Sequence, residues 1–175
     1  MSTRKAILVI NATRPEAVQA ATTLVNLLSK SEFELFTSSA VTISGVQTVP
    51  MDQLPESEIV IVLGGDGTIL RGAEISRLRK IPLLGVNLGH VGFMAEVEKL
   101  SLESVAASVL AKSYATDPRM VLAYSVERNG AQVASGWSLN EVTIERTEST
   151  MVELLVQVDR RPLSRWGCDL SLIHI

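Results

Sequence analysis

Three short runs of this chain are apolar almost throughout: Ala6-Ile7-Leu8-Val9-Ile10, Ile59-Val60-Ile61-Val62-Leu63 and Pro82-Leu83-Leu84-Gly85-Val86. A strand with one face in water alternates apolar and polar residues. A strand apolar at every position needs cover on both faces, which is the signature of a parallel sheet between helices. The intervening residues supply those helices. Pro15 suits a first helical turn, followed by Val18, Ala21, Val25 and Leu28 at three- and four-residue spacing. A helical pattern runs from the glycines after Leu63 to about Lys80, and Ser101 is placed to cap a helix carrying Leu102, Val105, Ala106, Val109 and Leu110. "FELF" (33–36) reads as a further strand, and 44–57, with Gly45, Pro50 and Pro55, as a connection. The fold predicted for residues 1–117 is therefore α/β, a parallel sheet with flanking helices.

After Asp117-Pro118 the pattern changes. "MVLAYSVER" (120–128) meets Asn129-Gly130 and then "AQVASGWSLNEVTIER" (131–146), and Asn-Gly between such runs marks a hairpin. "MVELLVQVD" (151–159) and "RPLSRWGCD" (161–169) continue the series. Residues 118–169 are thus predicted to be an incomplete antiparallel β domain, with a boundary near residue 117. A formal net charge of −3 with scattered basic residues points away from nucleic-acid and anionic-membrane surfaces. The single Cys168 forms no internal disulfide, and its expected role is packed or incidental. No segment has the apolar length of a signal-peptide core or a membrane span, so a cytoplasmic location is expected.

The chemistry concentrates at the ends of the apolar runs. Gly64-Gly65-Asp66-Gly67-Thr68 follows Leu63, at the carboxyl edge of a parallel strand, where open α/β sheets bind ligands. Glycines let the backbone approach a phosphate, and the next helix offers unpaired N–H groups. Thr68 can cap that helix or bond a phosphate oxygen. Asp66 would repel a phosphate unless it orients a metal or handles a proton, which is the task of the carboxylate in phosphoryl transfer to a hydroxyl. A tight turn with an incidental aspartate is the simpler alternative. Neither the G-x-x-x-x-G-K-[ST] loop nor G-x-G-x-x-G after a strand occurs. A second glycine loop, Asn87 to Phe93, leaves the next strand at the same edge. Phe93 there can face a flat ring or pack in the core, and His90 lacks a second ligand at metal-binding spacing. Asn140-Glu141, an amide beside a carboxylate, can read a nucleoside or simply lie on the surface.

Together "GGDGTIL" (64–70), "NLGHVGF" (87–93), "LNEVTIER" (139–146) and "GCD" (167–169) resemble, in order and spacing, the bacterial NAD kinases. "GGDGT" alone is shared with diacylglycerol and sphingosine kinases and loosely with phosphofructokinases. The resemblance spans residues 4–169. It implies transfer of phosphate from ATP, or polyphosphate, to the 2′-hydroxyl of the adenosine ribose of NAD, with Mg²⁺ or another divalent cation, in a homo-oligomer. Asp66 is the implied catalytic residue. Gly65, Gly67, Thr68 and Arg71 are implied on the phosphate side. Asn87, Phe93, Asn140, Glu141 and Asp169 are implied around the dinucleotide, with residues 118–169 opening an all-β dinucleotide-binding domain. A lipid or sugar kinase using the same loop, and a non-catalytic NAD-binding module, are the alternative functions.

The last residues, "LSLIHI" (170–175), depart from the family pattern, which continues with glycine and a Thr-Pro-Thr-Gly-Ser-Thr-Ala-Tyr stretch. They can be encoded by CTG TCT CTT ATA CAC ATC, the end of a transposase adapter used in sequencing libraries. The expectation is that residues 170–175 are an adapter scar, that the chain is the N-terminal piece of a longer kinase, and that it is inactive alone.

Overall fold

The computed structural model describes residues 3–31, 33–86, 101–147 and 150–174. Contacts divide the chain into two compact units, residues 1–116 and 117–175.

The first unit is built on a five-stranded parallel sheet. Its strands are β1 (Arg4–Ile10), β2 (Phe33–Thr37), β3 (Val46–Thr48), β4 (Ile59–Leu63) and β5 (Leu83–Val86), in the spatial order β3-β2-β1-β4-β5. Among the described residues three α-helices accompany them: α1 (Pro15–Leu28), α2 (Asp66–Arg79) and α3 (Leu102–Ala111). Pro15 stands at the start of α1, where its missing N–H costs nothing. Ser101 caps α3 by accepting from Ser104 N–H at 3.3 Å. Residues 44–57 are more than the expected connection: they contain the edge strand β3 and a 3₁₀ turn at Met51–Gln53. Three residues of β3 are too few to show a period, and Gly45, at φ 86°, turns the chain into them.

Alternation along the strands divides the core in two. Ala6, Leu8, Ile10, Ile59, Ile61 and Leu63 pack under Ala17, Ala21, Leu24 and Leu28 of α1 and Val105 and Val109 of α3. Ile7, Val9, Val60 and Val62 face the other way, under Ile69 and Ile75 of α2 and Leu54. Five consecutive apolar residues in β1 and β4 are thus used on both faces. At the amino edge of the sheet, Arg4 grips Glu58 through Nε at 3.0 Å, donates to the Leu110 and Val109 carbonyls of α3 at 2.6 and 2.7 Å, and lies 4.6 Å from the Phe33 ring centre. Lys112 adds a second cation 3.4 Å from Glu58. Burial pushes the Glu58 carboxyl up, and Arg4 with Lys112 outweighs it, leaving it below the usual glutamate range.

The second unit contains three antiparallel pairs. β6 (Leu122–Arg128) pairs with β7 (Ala131–Ser138) across the Asn129-Gly130 turn. β9 (Val152–Val158) pairs with β10 (Arg161–Cys168) across Asp159-Arg160. Both turns have positive φ at their two central residues, 52° and 77° in the first and 50° and 65° in the second, the twist that closes a two-residue hairpin. β8 (Glu141–Glu145) pairs with β11 (Leu170–His174), so the residues set apart in the sequence form a strand of this unit. Leu163, Trp166 and Met151 are among its exposed apolar side chains. Among the described residues, no helix is long and apolar enough to cross a membrane.

Candidate active site

Strand order places the candidate site. From β1 the chain winds outward to β2 and β3, then returns across β1 to β4 and β5. The direction of winding reverses between β1 and β4, and at such a switch the two loops leaving the carboxyl ends part to form a crevice. The loop from β4 is Gly64-Gly65, leading into α2 at Asp66. The loop from β1 begins at Asn11, whose N–H donates to Leu63 O at 3.0 Å.

Each glycine of the first loop has its own reason. A Cβ on Gly64 would lie 2.6 Å from Thr68 Oγ1 and 3.1 Å from the Asn11 Cβ, so only glycine fits between α2 and the end of β1. Among the described residues, a Cβ on Gly65 or Gly67 would meet no atom within 4 Å. Packing against the described residues does not account for those two positions. Gly65 is the N-cap of α2, which corrects the expectation that Thr68 can cap the helix. Thr68 is instead the third helical residue. Its N–H returns to the Gly65 carbonyl at 2.8 Å, and it is buried, because the cap of α2 falls three residues before Thr68.

Asp66 is therefore the first residue of α2, half-buried and flanked by the two open glycines. A carboxylate in the first turn is favoured by the unpaired N–H groups and the positive end of the helix. Arg71, one turn and a half further along, is exposed. Gly72, which carried no signal in the sequence, lets α2 sit against the sheet: a Cβ there would lie 2.3 Å from Val62 Cγ2. Asn87 and Phe93, with the rest of the second glycine loop, lie outside the described residues.

Asn140, Glu141 and Asp169 belong to the second unit. Asn140 is half-buried in the turn between β7 and β8, and Glu141 opens β8, its carbonyl accepting from the Ser138 hydroxyl. Glu141 also pairs with His174 Nδ1 at 3.2 Å. Asp169 pairs with Arg146 at 3.1 Å and accepts from its N–H through the backbone carbonyl. The register sets Glu141 against His174 and Glu145 against Leu170, so Asn140-Glu141 and Asp169 stand at and just beyond opposite ends of one ladder, roughly 17 Å apart along the strands. The structure thus brings together Gly65, Asp66, Gly67 and Thr68 at one helix terminus, with Arg71 further along the same helix. It places Asn140 with Glu141, and Asp169 separately. The sequence reading missed Asn11 and Thr13, whose only signal was a polar cluster directly after an apolar strand.

Comparison with known proteins agrees with these features. Residues 52–114 match the family described as the ATP-NAD kinase N-terminal domain. The chain is 38% identical over 182 aligned positions to an NAD kinase of Thermobifida fusca, covering 95% of this chain and 56% of that protein. It is 51% identical over 115 positions to an NAD kinase of Leifsonia xyli, covering 65% and 38%. An NAD kinase of Mycobacterium bovis is 35% identical over 97% of this chain and 62% of its own. The chain thus spans about two-fifths to three-fifths of the length of these relatives. A crystal structure of yeast NADH kinase complexed with NADH superposes with a TM-score of 0.79 over 98% of this chain and 54% of that one, and at 18% identity it shares the fold. With the glycine loop at the sheet's switch point and relatives of one name aligned along nearly its whole length, the chain belongs to the NAD kinase family.

Proposed function

We propose that this chain carries the phosphoryl-transfer half of an enzyme that moves the terminal phosphate of ATP to the 2′-hydroxyl of the adenosine ribose of NAD, giving NADP. The observation that carries the reading is Asp66, a half-buried carboxylate between two glycines whose Cβ positions are open, at the switch point of a parallel sheet. Gly65 and Gly67 leave room for phosphate oxygens against the first turn of α2, where backbone N–H groups face an anion. Asp66 accepts the hydroxyl proton and holds that oxygen in line with the phosphorus. In a loose transition state the proton moves late, so orientation is its larger contribution. Mg²⁺ arriving with ATP would be held chiefly by the phosphate oxygens and would neutralise their charge, with Asp66 the carboxylate of this loop near enough to orient it. Asn140, Glu141 and Asp169 of the second unit contact the dinucleotide.

The test is NADP formation from ATP and NAD, measured with the chain and with the protein extended to the length of its relatives. Asp66→Asn lowers turnover by roughly 10²–10⁴-fold with small changes in KM. Gly65→Ala and Gly67→Ala leave stability within about 1 kcal/mol and weaken ATP binding. Unchanged turnover in Asp66→Asn removes the residue from the mechanism, and transfer to a lipid or sugar instead of NAD overturns the assignment.

A further inference from the structure

The crevice has a second wall. β1 and β4 are paired in register up to Ile10 and Leu63, so Asn11 stands beside Gly64 at the lip of the glycine loop. Ile10 packs in the layer beneath α1. The next side chain along a strand points to the opposite face, and Asn11 accordingly lies on the α2 side, its Cβ within 3.1 Å of the position a Gly64 Cβ would take. The Asn11 amide is fixed in orientation. Its Oδ1 accepts from Thr13 N–H at 3.1 Å and from Thr13 Oγ1 at 2.7 Å. Two donors on the oxygen settle which end is which, leaving Nδ2 as a donor pair that makes no hydrogen bond among the described residues.

A fixed amide that presents only N–H donors beside a phosphate loop recognises an oxyanion. We infer that Asn11 is a nucleotide-positioning residue: Nδ2 donates to a phosphate oxygen of ATP from the β1 side of the crevice, while Thr13 holds the amide in that orientation. The inference rests on the phosphoryl-transfer reading and adds a residue from a different strand to it. It also gives Gly64 a purpose, because a side chain there would separate Asn11 from the loop.

The experiment is titration of the 175-residue chain with a fluorescent ATP analogue in MgCl₂, with far-UV circular dichroism as a folding control. Asn11→Asp keeps the shape and the oxygen that Thr13 holds, and replaces the donor with a second negative oxygen. It is expected to weaken analogue binding at least tenfold while the melting temperature stays within 2 °C or so. Asn11→Ser, which keeps a donor, retains most of the affinity. Thr13→Val, which frees the amide, falls between wild type and Asn11→Asp. In the extended protein the loss appears in KM for ATP and not in KM for NAD. Equal binding by wild type and Asn11→Asp overturns the inference and leaves the kinase reading standing. Failure of the wild-type chain to bind the analogue overturns both.

Discussion

Gly72 offers a test in which two ordinary expectations have opposite signs. It lies mid-helix in α2, where replacing glycine with alanine normally stabilises by up to about 1 kcal/mol. Here the added methyl would sit 2.3 Å from Val62 Cγ2 and 3.0 Å from Leu83 Cδ1. Carbon atoms in contact prefer roughly 3.5–4.0 Å, so α2 has to retreat by about 1.2 Å or more. Leu83 can rotate away. Val62 cannot, being fully buried, β-branched and seated in the middle strand pair of the sheet. Overpacking of this kind costs roughly 1–3 kcal/mol, and after the helix-propensity gain the net loss for Gly72→Ala is about 0–2 kcal/mol. All the helices of the described residues lie in the first unit, so ellipticity at 222 nm during urea unfolding reports that unit. A double-mutant cycle completes the test. Val62→Ala alone costs about 2 kcal/mol, and in the Gly72→Ala background it costs less by roughly 0.5–3 kcal/mol, because the cavity receives the new methyl. A stabilised Gly72→Ala, or strictly additive effects in the cycle, would refute the close seating of α2 on the sheet.

Two further expectations concern the same unit. The Glu58 carboxyl is held below the usual glutamate range, so its contribution is complete above that range and is lost as pH falls through the lowered value. Glu58→Gln should cost roughly 1–3 kcal/mol at neutral pH and flatten the acid limb of a plot of melting temperature against pH; parallel limbs for the two proteins would count against the clasp. Thr37 is fully buried, donating to Leu8 O at 2.8 Å and accepting from Ser39 N–H at 3.0 Å. Thr37→Val, equal in volume, leaves both groups unsatisfied and should cost about 1–3 kcal/mol in the same urea assay, and no loss would show that water replaces the hydroxyl.

The α/β layout was legible because β1 and β4 are apolar at every position, a pattern that has few structural solutions. The turn at Asn129-Gly130 was legible from local chemistry. Its counterpart at Asp159-Arg160 was not, since Asp tolerates a left-handed conformation but Arg160, where glycine is usual, gives no such signal. The start of α2 was misjudged because glycines at 64, 65 and 67 look alike in sequence. In space one is wedged, one caps and one is helical. Asn11 was passed over for a related reason. Its neighbour Gly64 is brought beside it by strand order, and strand order is settled by how the helices distribute over the two faces. No local pattern carries that information.

The placement of β1 also bears on how the unit is assembled. β1 meets β2 through a nearby helix, Arg4 against Phe33, whereas its pairing with β4 sets Ala6 against Ile59 and closes a much longer loop. Short-range contacts form first, and long-range parallel pairing is slow because chain entropy is lost before contacts compensate. The crevice between Asn11 and Asp66 is created by that late pairing alone. A chain halted on the ribosome before β4, or a partly folded state in which only β1, α1 and β2 have formed, would therefore lack the crevice. On the phosphoryl-transfer reading proposed above, a nucleotide would bind only after that pairing, and would stabilise the joined sheet by mass action.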